Sequence, residues 1–482
     1  MSDESGNTHA KALKINLDAL KYGTFAEIGA GQEVVRWFFH AGKAASTIAK
    51  TVSAYDMAIS DGIYGPTQHY VSRQRLEAML DHEYKRLVDR LDQTRGERTA
   101  FFVFADTSAT QTHSQRPAGH SWLGVRFQTA PRAEPSQIIV HVEMLDPVTV
   151  AQQEALGLAG VNLIHGAFYS TGDPAHLIAS LMDDLSRRRI DVDMIKFSGP
   201  AFAQLDNRLM SLQLVEQGLT DAAMFTADGE VVQPAEVLYN KPVLIERGSF
   251  RPITNVTLEM VDSAARQLQQ DFPAVQDRAV IMEMTLNNLM CDQAIDHPDF
   301  LARVDILGAL GKMVMVSNYT RFGKVTSYLR HYTQNWIGMA MGIPTLREVF
   351  DEKYYDDLEG GILEGLGRLF QGKVKLFIYP TRETDGEELT TCDKLQVKPE
   401  LNHLYQHLLE NGFIQSIREF DAGELHVMPG VVLADIQSGD AGWEKLVPPQ
   451  AAELIKAKGL FGYRAAMDPQ ASRRASPLRP SG

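Results

Sequence analysis

The residue types best suited to chemistry in this chain cluster in residues 191–252. The segment VLIERGSFRP brings Arg247, Ser249 and Arg251 within five positions. Two guanidiniums offer planar forks of N–H donors and the serine adds a hydroxyl, a combination suited to a phosphate or carboxylate. Upstream, FSGP sets Ser198 and Gly199 at the end of one apolar run, and TADGE sets Asp228 at the end of another. Ligands of open α/β sheets collect where the chain leaves the carboxyl ends of strands. Ser198, Asp228, Arg247, Ser249 and Arg251 are therefore the expected substrate- or anion-binding set. The plainer alternative makes them ordinary strand-to-helix turns, with the arginines in ion pairs to neighbours such as Asp228.

Two residues are candidates for acid–base work. Asp106 closes the apolar run of AFFVFAD; an acid at a strand end can hold a metal, a ribose or a catalytic water, or simply cap the next turn. His165 lies in VNLIHGAFY, which reads as a strand ending at Gly166. An imidazole there suits a general base or a phosphate contact, with a hydrogen-bonded core histidine as the alternative. Gly29 and Gly31 form a glycine-rich turn between TFAEI and the apolar stripe Val34, Val35, Trp37, Phe38. Free N–H groups at a helix start can cradle an anion, so both are cofactor-binding candidates; Glu33 beside the dipole favours a plain helix start instead. His82 and Glu83 lack an HExxH setting and read as solvated. No metal-ligand set is specified, and no cofactor is named beyond the Mg2+ that a bound nucleotide would bring.

The elements that must position these residues follow from periodicity. Short apolar runs alternating with helical stretches predict an α/β fold with a mostly parallel sheet and flanking helices. SWLGVRFQ and PSQIIVHVEML, joined by a short polar link, read as antiparallel neighbours. YVSRQRLEAMLDHEYKRLVDRL is an amphipathic helix capped by Ser72. The expected organisation is a helical N-terminal segment at 1–96 and an α/β core at 97–385, divided into sub-sheets 97–255 and 275–385. A small C-terminal α+β subdomain follows at 386–465, then a disordered tail at 466–482 rich in Pro, Ser and Arg.

Composition narrows the function classes. Lys and Arg number 47 against 61 Asp and Glu, a formal net charge of −14. Such a chain repels a nucleic-acid backbone, so nucleic acid is not an expected partner and a small-molecule anion or nucleotide in a local basic pocket is. Cys291 and Cys392 alone, far apart, exclude a disulfide scaffold or a cysteine zinc site. The polar, acidic start MSDESGNTHAKALKINL lacks the apolar run of a secretory signal, and no stretch has a membrane helix's length; a cytoplasmic location without membrane contact is expected. Small residues dominate 41–62, which suggests tight packing of helix against helix or against a second copy of the chain.

Three resemblances bear on function. AEIGAGQE resembles the ExGxG loop of Rossmann-type methyltransferases, but Gln32 and Glu33 stand where a small residue belongs, and the nearest ribose carboxylate is Asp56. Ser317-Asn318 after an apolar strand resembles the second motif of haloacid-dehalogenase phosphatases; their DxD nucleophile motif is missing, which excludes that class. Over about residues 11 to 460, GTFAEIGAGQEVVRWFF, ISDGIYG, FFVFADT, DNRLMSLQLV, RGSFRP and GGILEGLGRLF resemble a family of bacterial proteins of similar length. That family carries the labels nicotinate-nucleotide adenylyltransferase and TonB-dependent receptor. The receptor label is incompatible with an α/β chain lacking the many amphipathic strands of a membrane barrel. The adenylyltransferase label implies adenylyl transfer to a nucleotide-like substrate. Its HxGH or TxGH and ISSTxxR motifs are absent here, so no residue role is carried over. The expectation is an α/β protein that binds a phosphorylated or nucleotide-like small molecule, with nucleotidyl transfer as the reaction. A non-catalytic self-assembling scaffold and a methyltransferase-like enzyme are the alternatives.

Overall fold

The computed structural model describes residues 7–111, 119–273, 277–291, 293–382, 389–423, 425 and 427–464; the tail expected at 466–482 lies outside them. By its internal contacts the chain divides into two compact units, Met1–Met224 with Glu230–Gln233, and Phe225–Gly229 with Pro234–Gly482. No helix among the described residues is long and apolar enough to cross a membrane.

The first unit is built on a six-stranded mixed sheet. Its strands are β1 (Lys21–Ile28), β2 (Ile48–Val52), β3 (Ala100–Ala109), β4 (Gly119–Phe127), β5 (Ser136–Met144) and β6 (Ile190–Ser198). They lie in the order β2-β1-β3-β4-β5-β6. The first three are mutually parallel, and β4, β5 and β6 follow as antiparallel neighbours, as the short link between SWLGVRFQ and PSQIIVHVEML implied. Helices cover both faces, so the strands are apolar almost continuously rather than alternately. Phe25, Phe102, Phe104, Leu123 and Val140 pack in one core with the helix Thr149–Tyr169, while Phe101, Val103, Trp122 and Ile139 pack in another with Leu76, Met79 and Leu80 of the helix Arg73–Arg95. Each such side chain stabilises the fold by about 1.5–3 kcal/mol relative to exposure.

Two local readings are corrected. VNLIHGAFY is no strand: it continues the 21-residue helix Thr149–Tyr169. Its glycines do not end the helix but admit neighbours. A Cβ on Gly160 would lie 2.4 Å from Val34 Cγ2, and one on Gly166 2.9 Å from Leu177 Cγ. Buried nearly all round, the helix lacks the polar stripe that would mark its period. Glu83 is not solvated but 1% exposed. It falls four residues after Met79 and four before Leu87, on the buried stripe. There it takes Lys50 Nζ at 2.6 Å and the Tyr64 hydroxyl at 3.1 Å.

Six parallel strands carry the second unit's part of its main sheet: β7 (Val243–Arg247), β8 (Ala279–Thr285), β9 (Met313–Ser317), β10 (Ile337–Gly342), β11 (Val374–Tyr379) and β12 (Ile414–Ser416). They lie in the order β12-β11-β10-β7-β8-β9 with every pairing parallel. The chain steps from β7 through β8 to β9, then returns to lay β10 on the other side of β7. This is the doubly wound order 3-2-1-4-5-6, whose direction reverses between its first and fourth strands. The α/β class is thus met twice, by one mixed and one parallel arrangement.

Candidate functional site

Doubly wound sheets take their ligand crevice beyond the carboxyl ends of the strands at such a reversal, here β7 and β10, and RGSFRP is the loop that leaves β7 there. Parallel register sets Arg247 beside Glu283 of β8. The pair is bidentate, Nε to Oε2 at 2.9 Å and Nη2 to Oε1 at 2.8 Å. Ser317, at the end of β9, donates to Glu283 Oε1 at 2.6 Å. Glu283 is fully buried and Arg247 nearly so, its guanidinium 4.5 Å from the centre of the Phe322 ring.

The rest of the loop is held from below. Arg251 Nε donates to Asp299 at 2.6 Å, and Asp299 also takes Arg303 Nε at 2.6 Å. Arg303 Nη1 reaches the backbone carbonyls of Ser249 at 3.0 Å and Asn288 at 2.8 Å. These bonds fix a loop in which Phe250 is buried at φ +49°, a left-handed conformation unusual for a side chain without a local polar group. Gly248 leaves no room for a Cβ, which would sit 2.8 Å from the Phe250 ring. Ser249 is exposed. Thr254 caps the following helix, Asn255–Asp271.

The arginines are therefore ion-paired, to Glu283 and Asp299 rather than to Asp228. Asp228 is exposed and accepts from the Thr226 hydroxyl, which lowers its pKa. Arg251 bonds Asp299 through Nε and is 31% exposed.

Sequence reasoning missed Glu246. It is 6% exposed, and its Oε2 has no hydrogen-bond partner among the described residues. Burial, and then the charge of Glu283, push its pKa up to about 8. At neutral pH it is a protonated acid at the penultimate position of β7, with an O–H to donate. The available signal was a carboxylate inside the apolar run VLIER.

The remaining candidates lie in the first unit. Asp106 pairs in register with Glu27, both 1% exposed at the carboxyl ends of β3 and β1. Glu27 accepts from the backbone N–H groups of Val34 and Val35, each at 2.9 Å, at the start of the helix Glu33–Ala41. The acceptor at that helix start is thus the protein's own Glu27 carboxyl group. Burial raises Glu27 to about 7; burial and the charge of Glu27 raise Asp106 well above the usual range. Gly29, at φ +103°, passes so close to β3 that a Cβ would lie 1.9 Å from the Ser108 carbonyl oxygen; Gly31 has φ +87°. His165 lies near the carboxyl end of the helix Thr149–Tyr169 against Tyr169, not at a strand end, and burial, then Lys11 and Lys14, lower its pKa to about 4. Ser198 ends β6 beside Gln137 at the start of β5. β6 is an edge strand three strands away from β3, and Ser198 stands level with Val103 of β3, three residues short of Asp106. Among the described residues no group of three or more His, Cys, Asp or Glu side chains is placed to hold a metal ion.

No protein-family model and no curated protein matches the chain. Solved structures are similar to part of it, among them the following three. The competence/damage-inducible protein CihA from Agrobacterium tumefaciens is 16% identical, with 34% of this chain and 97% of that chain covered and a TM-score of 0.25. A competence-damaged protein (CinA) superfamily member from Enterobacter cloacae is 13% identical over 34% and 91% of the two chains, with a TM-score of 0.25. The competence damage-inducible protein A (ComA) from Klebsiella pneumoniae is 11% identical over 34% and 96%, with a TM-score of 0.26. At these identities and scores no role is transferred from them.

Proposed function

We propose that the second unit binds a phosphorylated or nucleotide-like small molecule in the crevice beyond β7 and β10, with nucleotidyl transfer, and adenylyl transfer in particular, as its reaction. The observation that carries this reading is the strand order, which reverses beside the loop holding Arg247, Ser249 and Arg251. Doubly wound sheets take their ligands at such a reversal. Arg251 Nη groups, the Ser249 hydroxyl and the start of the helix Asn255–Asp271 supply donors for an anion. Glu246 adds a neutral carboxylic O–H. A nucleotide would arrive with Mg2+, its phosphates supplying part of the coordination.

A melting-temperature panel with ATP, nicotinate mononucleotide, NAD and S-adenosylmethionine tests it. A ligand at 100 times its Kd adds about 2.7 kcal/mol. ATP or the mononucleotide should raise the melting temperature, and Arg251→Ala should remove the shift while the unliganded protein still melts cooperatively. Flat curves for all four compounds would end the enzyme reading, whereas a shift with S-adenosylmethionine alone would favour the methyltransferase-like one.

A second reading, self-assembly, has its own support. Tyr55, Met57 and Ile59 are 63%, 62% and 58% exposed, in the small-residue stretch expected to pack against another copy. A monomeric sedimentation profile at micromolar concentration would remove it.

A further inference from the structure

The first unit carries a second array of ionisable groups, on the sheet face opposite Glu27 and Asp106. His120 is the second residue of β4, and its side chain shares a face with Trp122 two residues on. Antiparallel pairing sets Trp122 opposite His141 of β5, with the rings 4.8 Å apart. The register shifts just after His141, and the bulge turns Asp193 of β6 toward that imidazole. Asp193 Oδ1 lies 2.6 Å from His141 Nδ1, and His141 Nε2 lies 3.1 Å from His120 Nδ1. Gln233 Nε2 donates to the other Asp193 oxygen at 3.4 Å. His141 and Asp193 are 2% and 4% exposed, whereas His120 is half-buried and reaches the surface.

Hydrogen-bond logic sets the protons. A carboxylate at Asp193 makes His141 Nδ1 the donor, so the neutral ring must accept at Nε2. His120 then donates from Nδ1, which leaves its Nε2 as a bare lone pair at the outer end of the chain. Burial, and then His141, hold the pKa of His120 down to about 4, so the imidazole is neutral at physiological pH. A base oriented by a second group, itself held by a third, is the arrangement that activates nucleophiles. Glu143 stands directly opposite His120. Its carboxylate disfavours an anionic ligand.

We propose that His120 is the proton-accepting imidazole of a second reaction centre, which activates water against a neutral or cationic carboxylic ester or amide. As the water oxygen bonds to the carbonyl carbon, His120 Nε2 takes one water proton. The Nδ1 proton moves toward His141 Nε2, and the His141 Nδ1 proton toward Asp193. When the tetrahedral intermediate collapses, the carbon–oxygen or carbon–nitrogen bond breaks. Nε2 returns a proton to the departing atom, giving an acid and an alcohol or amine with the array restored. His120 is the catalytic residue of this step, and His141 and Asp193 position it.

The test uses the full-length chain and p-nitrophenyl acetate, with its anionic succinate analogue as a control. Wild type should hydrolyse the acetate at least 10-fold faster than buffer alone at the same pH, and prefer it to the succinate. His120→Gln should fall to the buffer level. Asp193→Asn should lose about 10-fold and shift the pH profile, which a merely structural role would not do. Diethyl pyrocarbonate, mapped by mass spectrometry, covers the case of a misfolded variant: in wild type, acylation of His120 should track loss of hydrolysis. Hydrolysis no faster than buffer alone, full activity in His120→Gln, or inactivation that tracks exposed His9 and His176 while His120 is unmodified would each overturn the proposal.

Discussion

Replacing Arg247 by Met removes both donors from a carboxylate with no exposed surface. Glu283 would keep only the Ser317 hydroxyl at 2.6 Å. Breaking a buried ion pair from one side costs about 3–5 kcal/mol, because the remaining charge stays desolvated. For a unit of this size each kcal/mol moves the melting temperature by roughly 2–4 °C, so Arg247→Met should lower it by roughly 6–20 °C. Glu283→Gln in the same background removes the stranded charge. The double variant should therefore recover at least about 2 kcal/mol, within the usual range for contacting residues. Denaturant-dependent hydrogen exchange of peptides from β7, β8 and β9 resolves the second unit from the first. A loss under about 1 kcal/mol for the single variant, or strictly additive effects in the double, would refute this account of the pair.

Two further predictions concern the first unit and the helices. Glu27, at about 7 in the fold against an ordinary 4.5, keeps a proton that the unfolded chain releases. Its contribution is intact below about pH 4.5 and is lost as pH rises through 7, a change of up to about 3 kcal/mol; Glu27→Gln should flatten that slope in urea titrations at pH 5 and 7.5, and an unchanged slope would count against the raised pKa. The two helical glycines Gly160 and Gly367 should respond oppositely to alanine. Gly367 has open space around it and should gain about 0.5–1 kcal/mol of helix propensity, whereas the clash with Val34 should make Gly160→Ala lose about 1–2 kcal/mol, both read as midpoints of chemical unfolding.

The α/β class, the strands at FFVFA, SWLGVRF, IIVHVEM and VKLFIY, and the Ser72-capped helix were legible in the sequence because period and capping are local properties. So was the oddity of RGSFRP, two arginines and a serine in an acidic chain. Burial on every side concealed the rest: the helix over VNLIHGAFY shows no polar stripe, and Glu83 sits on an apolar face with its charge answered by Lys50. Strand neighbours are set by packing between distant segments, and only the tertiary structure decided them. It laid β10 beside β7 and so made the reversal that gives Arg247, Ser249 and Arg251 their setting. It also matched Arg247 to Glu283, enclosed Glu246 and Glu27 until their protons stayed on, and aligned Asp193, His141 and His120 from three strands. A side chain's type fixes what it can donate or accept; its partners and its solvent depend on chain brought from far along the sequence.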